Sequence, residues 1–488
     1  MAAVRNFIVA IELGSTKITG IAGQKRNDGS IAVLAVVSED STQCIRKGVV
    51  YNIDKTVQCI TNIIQRLRSQ LHVGIKHVFI GVGGQSIHSV RNVVMKDLEE
   101  GVAVSPQLVV EMMDQNRGME YPEMEILDVE PQEYRADSLF QSDPVGIQCS
   151  HLEGNFLNIL QSRRHYNKLI DCFDKADVKI ADMYLAPFAL ADAVLTPVEK
   201  RSGCVLVDLG ADTTTVMVYH KEIVRHIAVI PLGANNITKD ICSLHLEEAE
   251  AEKLKLQYAS AYTSVDKIDP TLRYDVDNEQ KIDSTHFIDL VEARVQEIIA
   301  NAWNQVPSDF VDKLMGGIVL TGGGSNLRNI DEAFRMQTKI EKVRIAKFVT
   351  MTVESTNPAV NEHNGTMNTV IGLLAKGDQN CYQPQEETKR PDMFGVAGDT
   401  GSEYASPEAP VSPRDANSLP QGVVLTPSEK AAAEKAAAEQ EARRKAEEEA
   451  KRVEEELAAQ AAEEERKKKG GLKSKVIKFL TSITEPGE

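Results

Sequence analysis

From about residue 5 to 378, apolar runs of strand length alternate with longer segments of helical period. Residues 4–11, 31–37, 78–82, 204–207 and 318–320 read as strands; 57–71, 166–176, 246–261 and 287–306 read as helices. That alternation predicts an α/β architecture. Trp303 and the pair Met112-Met113 fall within periodic apolar patterns and read as packing residues.

The pattern stops near residue 380. Seven of the 18 prolines lie between Pro384 and Pro427 among Ser, Gly, Asp and Glu, so 379–427 reads as a disordered linker. Residues 428–469 form an Ala/Glu/Lys/Arg tract with acid-first pairs such as Glu441 with Lys445 and Glu447 with Lys451, the favourable i,i+4 order, and read as a charged helical spacer. Gly470-Gly471 then breaks the tract, and 470–484 reads as an amphipathic helix. Leu472, Val476, Phe479, Leu480 and Ile483 make one stripe with Ile477 at its margin, while Lys473, Lys475 and Lys478 flank it. A basic amphipathic helix suits an anionic membrane surface, where each Lys contributes about 1 kcal/mol. One copy would bind weakly and reversibly; several copies held together would bind firmly.

Composition narrows the compartment and the partners. The chain has 488 residues, 42% hydrophobic and 26% charged, with a net charge of -17. That charge argues against nucleic acid as a main partner. Seven scattered cysteines without paired spacing read as reduced cytosolic thiols. The first apolar run is cut short by Glu12, so it reads as neither signal peptide nor spanning helix, and the expectation is a cytoplasmic protein.

Chemistry concentrates in two stretches nearly two hundred residues apart. Residues 8–18 and 205–216 each show a buried strand, an acid (Glu12, Asp208), a Gly turn (Gly14, Gly210) and hydroxyl residues before a returning strand. A Gly-centred turn brings backbone amides close to phosphate oxygens. Ser15, Thr16, Thr213 and Thr214 add hydroxyl donors, and Lys17 adds a point charge. Glu12 and Asp208 would repel phosphate unless Mg²⁺ and its waters stand between, so the pair predicts a metal-nucleotide site. A third cluster, Gly322-Gly323-Gly324, follows an apolar strand and calls for close backbone approach.

In the order acid-Gly-Ser, acid-Gly-x-Asp212-Thr-Thr, then Thr-Gly-Gly-Gly, these motifs resemble the phosphate 1, phosphate 2 and adenosine motifs of the actin-like ATPase superfamily. More specific stretches (Val78 to Gln85, Pro131-Gln132-Glu133-Tyr134, Asp143-Pro144-Val145-Gly146, Pro231 to Ile241) are similar to the FtsA family of bacterial cell-division proteins. The resemblance covers 5–378 and the terminal helix. It implies two RNase H-like lobes: subdomain 1A at 1–86 and 166–200, 1C at 87–165, 2A at 201–233 and 311–378, and 2B at 234–310. It also implies ATP with Mg²⁺, with Gly233, Glu252 and Lys255 added to the nucleotide contacts. Self-polymerisation, binding of the FtsZ C-terminal peptide by 2B, contact with other division proteins and residence on the cytoplasmic face of the membrane at the septum follow from the same resemblance.

Two departures matter. Glu12 stands where many relatives have Asp, and Ala186 stands where hydrolysing bacterial actins carry a water-positioning Glu, which implies slow turnover. A small-molecule kinase on this fold, or another membrane-associated actin homologue, is the competing reading. A kinase would need a catalytic base in a substrate cleft, and no distinct candidate stands outside the phosphate motifs. An Hsp70-like chaperone would carry a β-rich domain where this chain has a spacer.

Overall fold

The computed structural model describes residues 5–99, 101–275 and 281–384. The spacer and terminal-helix readings, and with them every proposed membrane residue from Leu472 to Ile483, lie outside the described residues, as does the linker beyond residue 384. Its first residues correct the expectation of disorder from 379: Cys381 is fully buried and Tyr382–Gln383 pairs with Gly74–Ile75, so the folded body runs past the expected boundary.

Two sheets organise the molecule, and their cores repeat one topology. The first runs Ile180–Leu185, Val78–Val82, Ile8–Leu13, Lys17–Lys25, Ile31–Asp40, with the short Val353–Glu354 at its edge. The second contains Val343–Ile345, Gly317–Thr321, Cys204–Leu209, Thr214–His220 and Ile223–Ile230 in the equivalent order. In both, the central strand pairs parallel on one side and antiparallel on the other. Central strands with helices on their faces must be apolar on both sides. Accordingly, the first four residues of Ile8–Leu13 and of Cys204–Leu209 are all buried.

The helix Ile53–Leu71 shows how the sequence fixes a layer. Asn52 caps it by accepting from the Lys55 amide at 3.1 Å, and Ile60, Ile63, Ile64 and Leu67 form its buried stripe. Gly20 lets that stripe approach, since a Cβ there would lie 2.4 Å from Ile63.

Between the first lobe's strands sits an insertion of four strands, His88–Asp97, Met124–Ala136, Leu139–Gln141 and His151–Ser162, with the helix Pro106–Arg117. Met112 is fully buried in its separate core. The insertion's sheet joins the second lobe's sheet through the pairing of His88 with Ala228. Trp303 packs, partly buried, on the second lobe's core.

One expected boundary is corrected. Residues 311–378 were assigned to the second lobe, but the chain returns to the first lobe before residue 353. Val353–Glu354 pairs with Ile31–Asp40, and Val370, Ile371, Leu373 and Leu374 of the helix Asn368–Lys376 are buried in the first core. The apolar side of that helix fits against the first sheet and the helix Ala186–Val194, which supplies the burial.

Candidate functional site in the cleft between two matched hairpins

The two acid-glycine stretches form hairpins matched in register and in turn hydrogen bond. In the first hairpin Glu12 faces Thr19 across the strand pair, and in the second Asp208 faces Thr215, seven residues on in each case. The Gly14 amide donates to the Lys17 carbonyl at 3.0 Å, and the Gly210 amide donates to the Thr213 carbonyl at 2.9 Å. At either glycine a Cβ would lie 2.8 Å from that same carbonyl oxygen, so both turns require glycine for closeness.

The turns face one cavity of about 620 Å³, lined on one side by Gly14, Ser15, Thr16 and Lys17 and on the other by Gly210, Thr213 and Gly233. Glu252, Lys255 and the three glycines Gly322, Gly323 and Gly324 border the same space. The structure thus brings together most of the residues nominated from sequence.

Glu12 and Asp208 are the electrostatic centre. Burial alone pushes the Asp208 carboxyl up to about 6. Burial first, and then repulsion from Asp208, push Glu12 up to about 7, against the pull of Lys17, Thr369 and the Val370 amide. The repulsion is mutual, so the two carboxyls titrate as a pair. Two half-buried carboxylates bordering one cavity fit a divalent cation, whose charge would favour both ionised forms. Among the described residues no group of three or more His, Cys, Asp or Glu is placed to hold a metal ion, so two carboxylates would leave most of such a shell to water and phosphate oxygens.

The three adjacent glycines serve different ends. Gly322 has φ +82° and ψ 171°, a region closed to residues with a Cβ, and a Cβ there would meet the Asp208 carboxylate at 2.3 Å. Gly324 packs on Leu209, whereas a Cβ on Gly323 would meet only Thr366, at 3.5 Å. Gly323 is therefore the one whose missing side chain leaves room in the cavity. Gly233 packs against the second turn, where its Cβ would lie 2.4 Å from the Ala211 carbonyl. The next two amides, of Ala234 and Asn235, donate to the Gly210 and Ala211 carbonyls, so the helix Ala234–Cys242 braces the turn.

Lys255 is buried and donates to Thr238 at 2.8 Å while ion-pairing with Glu252 at 2.6 Å. Glu252 also accepts from Thr238 at 2.6 Å. This pre-formed network holds both side chains at the cavity wall.

Two nominated residues sit elsewhere. Thr214 is fully buried and its hydroxyl donates to the Leu232 carbonyl at 2.9 Å; strand alternation sends Thr213 and Thr215 to the cavity and Thr214 away. Asp212 clasps the lobes, accepting from the Lys47 amide at 3.1 Å and from Asn235 at 2.8 Å. Ser15 is also engaged, accepting from the Gly48 amide at 2.9 Å.

Sequence reasoning missed Thr19, Thr215, Gly48, Gly84 and Thr369, all of which line the cavity. The first two had a signal in the seven-residue offset from each acid. Thr369 had none, because it comes from the first turn of a helix more than 350 residues after Glu12. Ala186 and Pro187 line the cavity where a water-positioning acid was looked for, at the start of the helix Ala186–Val194.

Comparison with known proteins places this geometry. A family model described as "Cell division protein FtsA" matches residues 205–367, and one described as "SHS2 domain inserted in FTSA" matches residues 84–160, the insertion described above. Cell division protein FtsA of Porphyromonas gingivalis is 30% identical over 392 residues, covering 78% of this chain and 80% of that protein. The chain belongs to the FtsA family. FtsA of Pseudomonas aeruginosa is 27% identical over 432 residues, covering 85% of this chain and 98% of its own length. A solved structure titled "PilM-PilN type IV pilus biogenesis complex" superposes with a TM-score of 0.53 at 14% identity, covering 76% of this chain and 98% of that one. That likeness concerns the fold, which is the actin-like one. No described helix is long and apolar enough to cross a membrane.

Proposed function

We propose that this FtsA-family protein binds ATP with Mg²⁺ in the cleft, self-polymerises, and ties an FtsZ ring to the cytoplasmic face of the membrane at the septum. The observation that carries the nucleotide part is the duplicated hairpin: two glycine turns of the same geometry, each with a half-buried acid behind it, bordering one cavity.

In this reading the turns at Gly14 and Gly210 receive the phosphates, with Lys17 and the hydroxyls of Thr16 and Thr213 beside them. Bound Mg²⁺ would supply the positive charge between the phosphates and the carboxylates of Glu12 and Asp208. Gly323 leaves space for the nucleoside, and Glu252 and Lys255 form its wall. Ala186 offers no group to orient water, so turnover is slow and the bound nucleotide acts as a structural ligand.

The tethering part rests on sequence and family. Residues 470–484 carry the basic amphipathic pattern, and polymerisation raises the effective concentration of a weak anchor. Binding of the FtsZ C-terminal peptide by residues 234–310, and contacts with further division proteins, follow from family membership. Truncation after Lys469 should abolish pelleting with anionic vesicles and leave ATP affinity unchanged; pelleting that persists refutes the anchor.

A further inference from the structure

A second cavity, of about 350 Å³, lies where the insertion, the first lobe and the second lobe meet. The strand Met124–Ala136 brings Glu130 to it, the helix Ala186–Val194 brings Phe188 and Asp192, and the strand Thr214–His220 brings Tyr219. It shares no lining residue with the nucleotide cleft. We propose that this cavity binds an organic cation, an alkylammonium or guanidinium group, held by the Tyr219 hydroxyl and the Glu130 carboxylate.

Two unsatisfied groups carry the inference. Tyr219 is 3% exposed and faces the cavity, yet its hydroxyl has no hydrogen-bond partner among the described residues. The ring is buried and the hydroxyl opens onto the cavity, so its hydrogen bond must go to whatever occupies that space. Glu130 likewise has no hydrogen bond or ion pair from its carboxylate among the described residues. The other acids of the wall are engaged. Asp192 is held by Lys200 at 2.5 Å and by Lys376, Glu222 pairs with Arg201 at 2.6 Å, and Asp128 accepts from the Val129 amide at 2.8 Å.

The chemistry selects a cation. Four carboxylates against two lysines leave the wall negative, which excludes an anion and favours a charged N–H donor able to reach both free oxygens. Tyr184, stacked on Phe79, and Phe188 add aromatic surface to the same wall. The volume falls in the range of small-ligand sites and admits one such group. It can arrive on a free amine or on a basic side chain of a peptide.

Calorimetry on the full chain distinguishes the sources, with agmatine as the free amine, acetyl-Gly-Arg-Gly-amide as the peptide and acetyl-Gly-Gly-Gly-amide as the neutral control. Agmatine should bind, the neutral control should not, and Glu130→Gln should weaken agmatine about tenfold or more, as loss of a charge-assisted contact does. Tyr219→Phe keeps the ring and the fold and should weaken it by about fivefold. A peptide that binds more tightly than agmatine assigns the site to a protein partner, and the reverse order assigns it to a free amine. Burial first, then Asp128 and Asp192, push Glu130 up to about 7 against the pull of Lys376. Of the groups facing it, Asp192 is held low by its lysines and Tyr219 is pushed well above the usual phenol range. Agmatine affinity should therefore fall between pH 8 and pH 6 in the parent and stay level in Glu130→Gln. No heat from either cationic probe at millimolar concentration, or affinity unchanged in both variants, overturns the proposal.

Discussion

Replacing Asp208 with Asn should stabilise the ligand-free protein and weaken its hold on Mg-ATP, two effects of opposite sign from one change. Burial raises this carboxyl from 3.8 to about 6. Each pH unit is equivalent to 1.36 kcal/mol, so the ionised form carries a folding penalty of at most about 3 kcal/mol. An acid raised on folding is penalised only where its unfolded counterpart is ionised. The penalty is therefore absent below about pH 4, grows between pH 4 and 6, and is constant above. The amide has no such term. At about 2 °C per kcal/mol for a body of this size, the variant should melt up to about 6 °C higher at pH 8 and equally at pH 4, by differential scanning fluorimetry without divalent cation. Mg-ATP should then raise the melting temperature of the parent far more than that of the variant, because ligand stabilisation scales with affinity. A variant that melts lower than the parent at pH 8, or a difference that ignores pH, would show that the carboxylate is satisfied by the fold itself and is not waiting for a cation.

Gly322→Ala should destabilise the protein by about 3 kcal/mol or more, from backbone strain and collision with Asp208, while Gly323→Ala should melt within about 1 °C of the parent and lose ATP affinity, read by melting and calorimetry together. Equal melting of the two variants would refute the division of labour among these glycines. Asp212→Ala removes the bond that joins the lobes at Lys47, so the Lys47 amide should exchange with deuterium about tenfold faster, as loss of about 1.4 kcal/mol implies, with ATP affinity within about threefold. A much larger affinity loss would make Asp212 a direct ligand contact. Ala186→Glu should raise the rate of phosphate release from ATP by restoring a water-orienting acid, and an unchanged rate would mean that positioning at this wall does not limit turnover.

The cleft was legible because its parts are local. A Gly turn with an acid two residues before it is written in one stretch of chain, and each of its demands can be read there: closeness at Gly14 and Gly210, charge at Glu12 and Asp208. What was illegible depended on partners distant in sequence. Thr213, Thr214 and Thr215 are chemically alike, and only the register that sets Asp208 opposite Thr215 decides that Thr214 turns inward. The return of Asn368–Lys376 to the first lobe is decided by the apolar surface waiting there, which no local pattern announces.

That distant helix also makes the two acids unequal. Glu12 is drawn down by Thr369 and the Val370 amide at the helix start and by Lys17, whereas burial alone acts on Asp208. The hairpins are matched in backbone and register, so the inequality comes from what the rest of the fold adds to one of them. Those contacts do not offset burial, for both carboxyls stay raised, Glu12 to about 7 and Asp208 to about 6, and both await a bound cation. Replacing either acid with its amide should therefore weaken Mg-ATP binding measured by calorimetry, and an affinity unchanged by one of the two changes would remove that acid from the cation site.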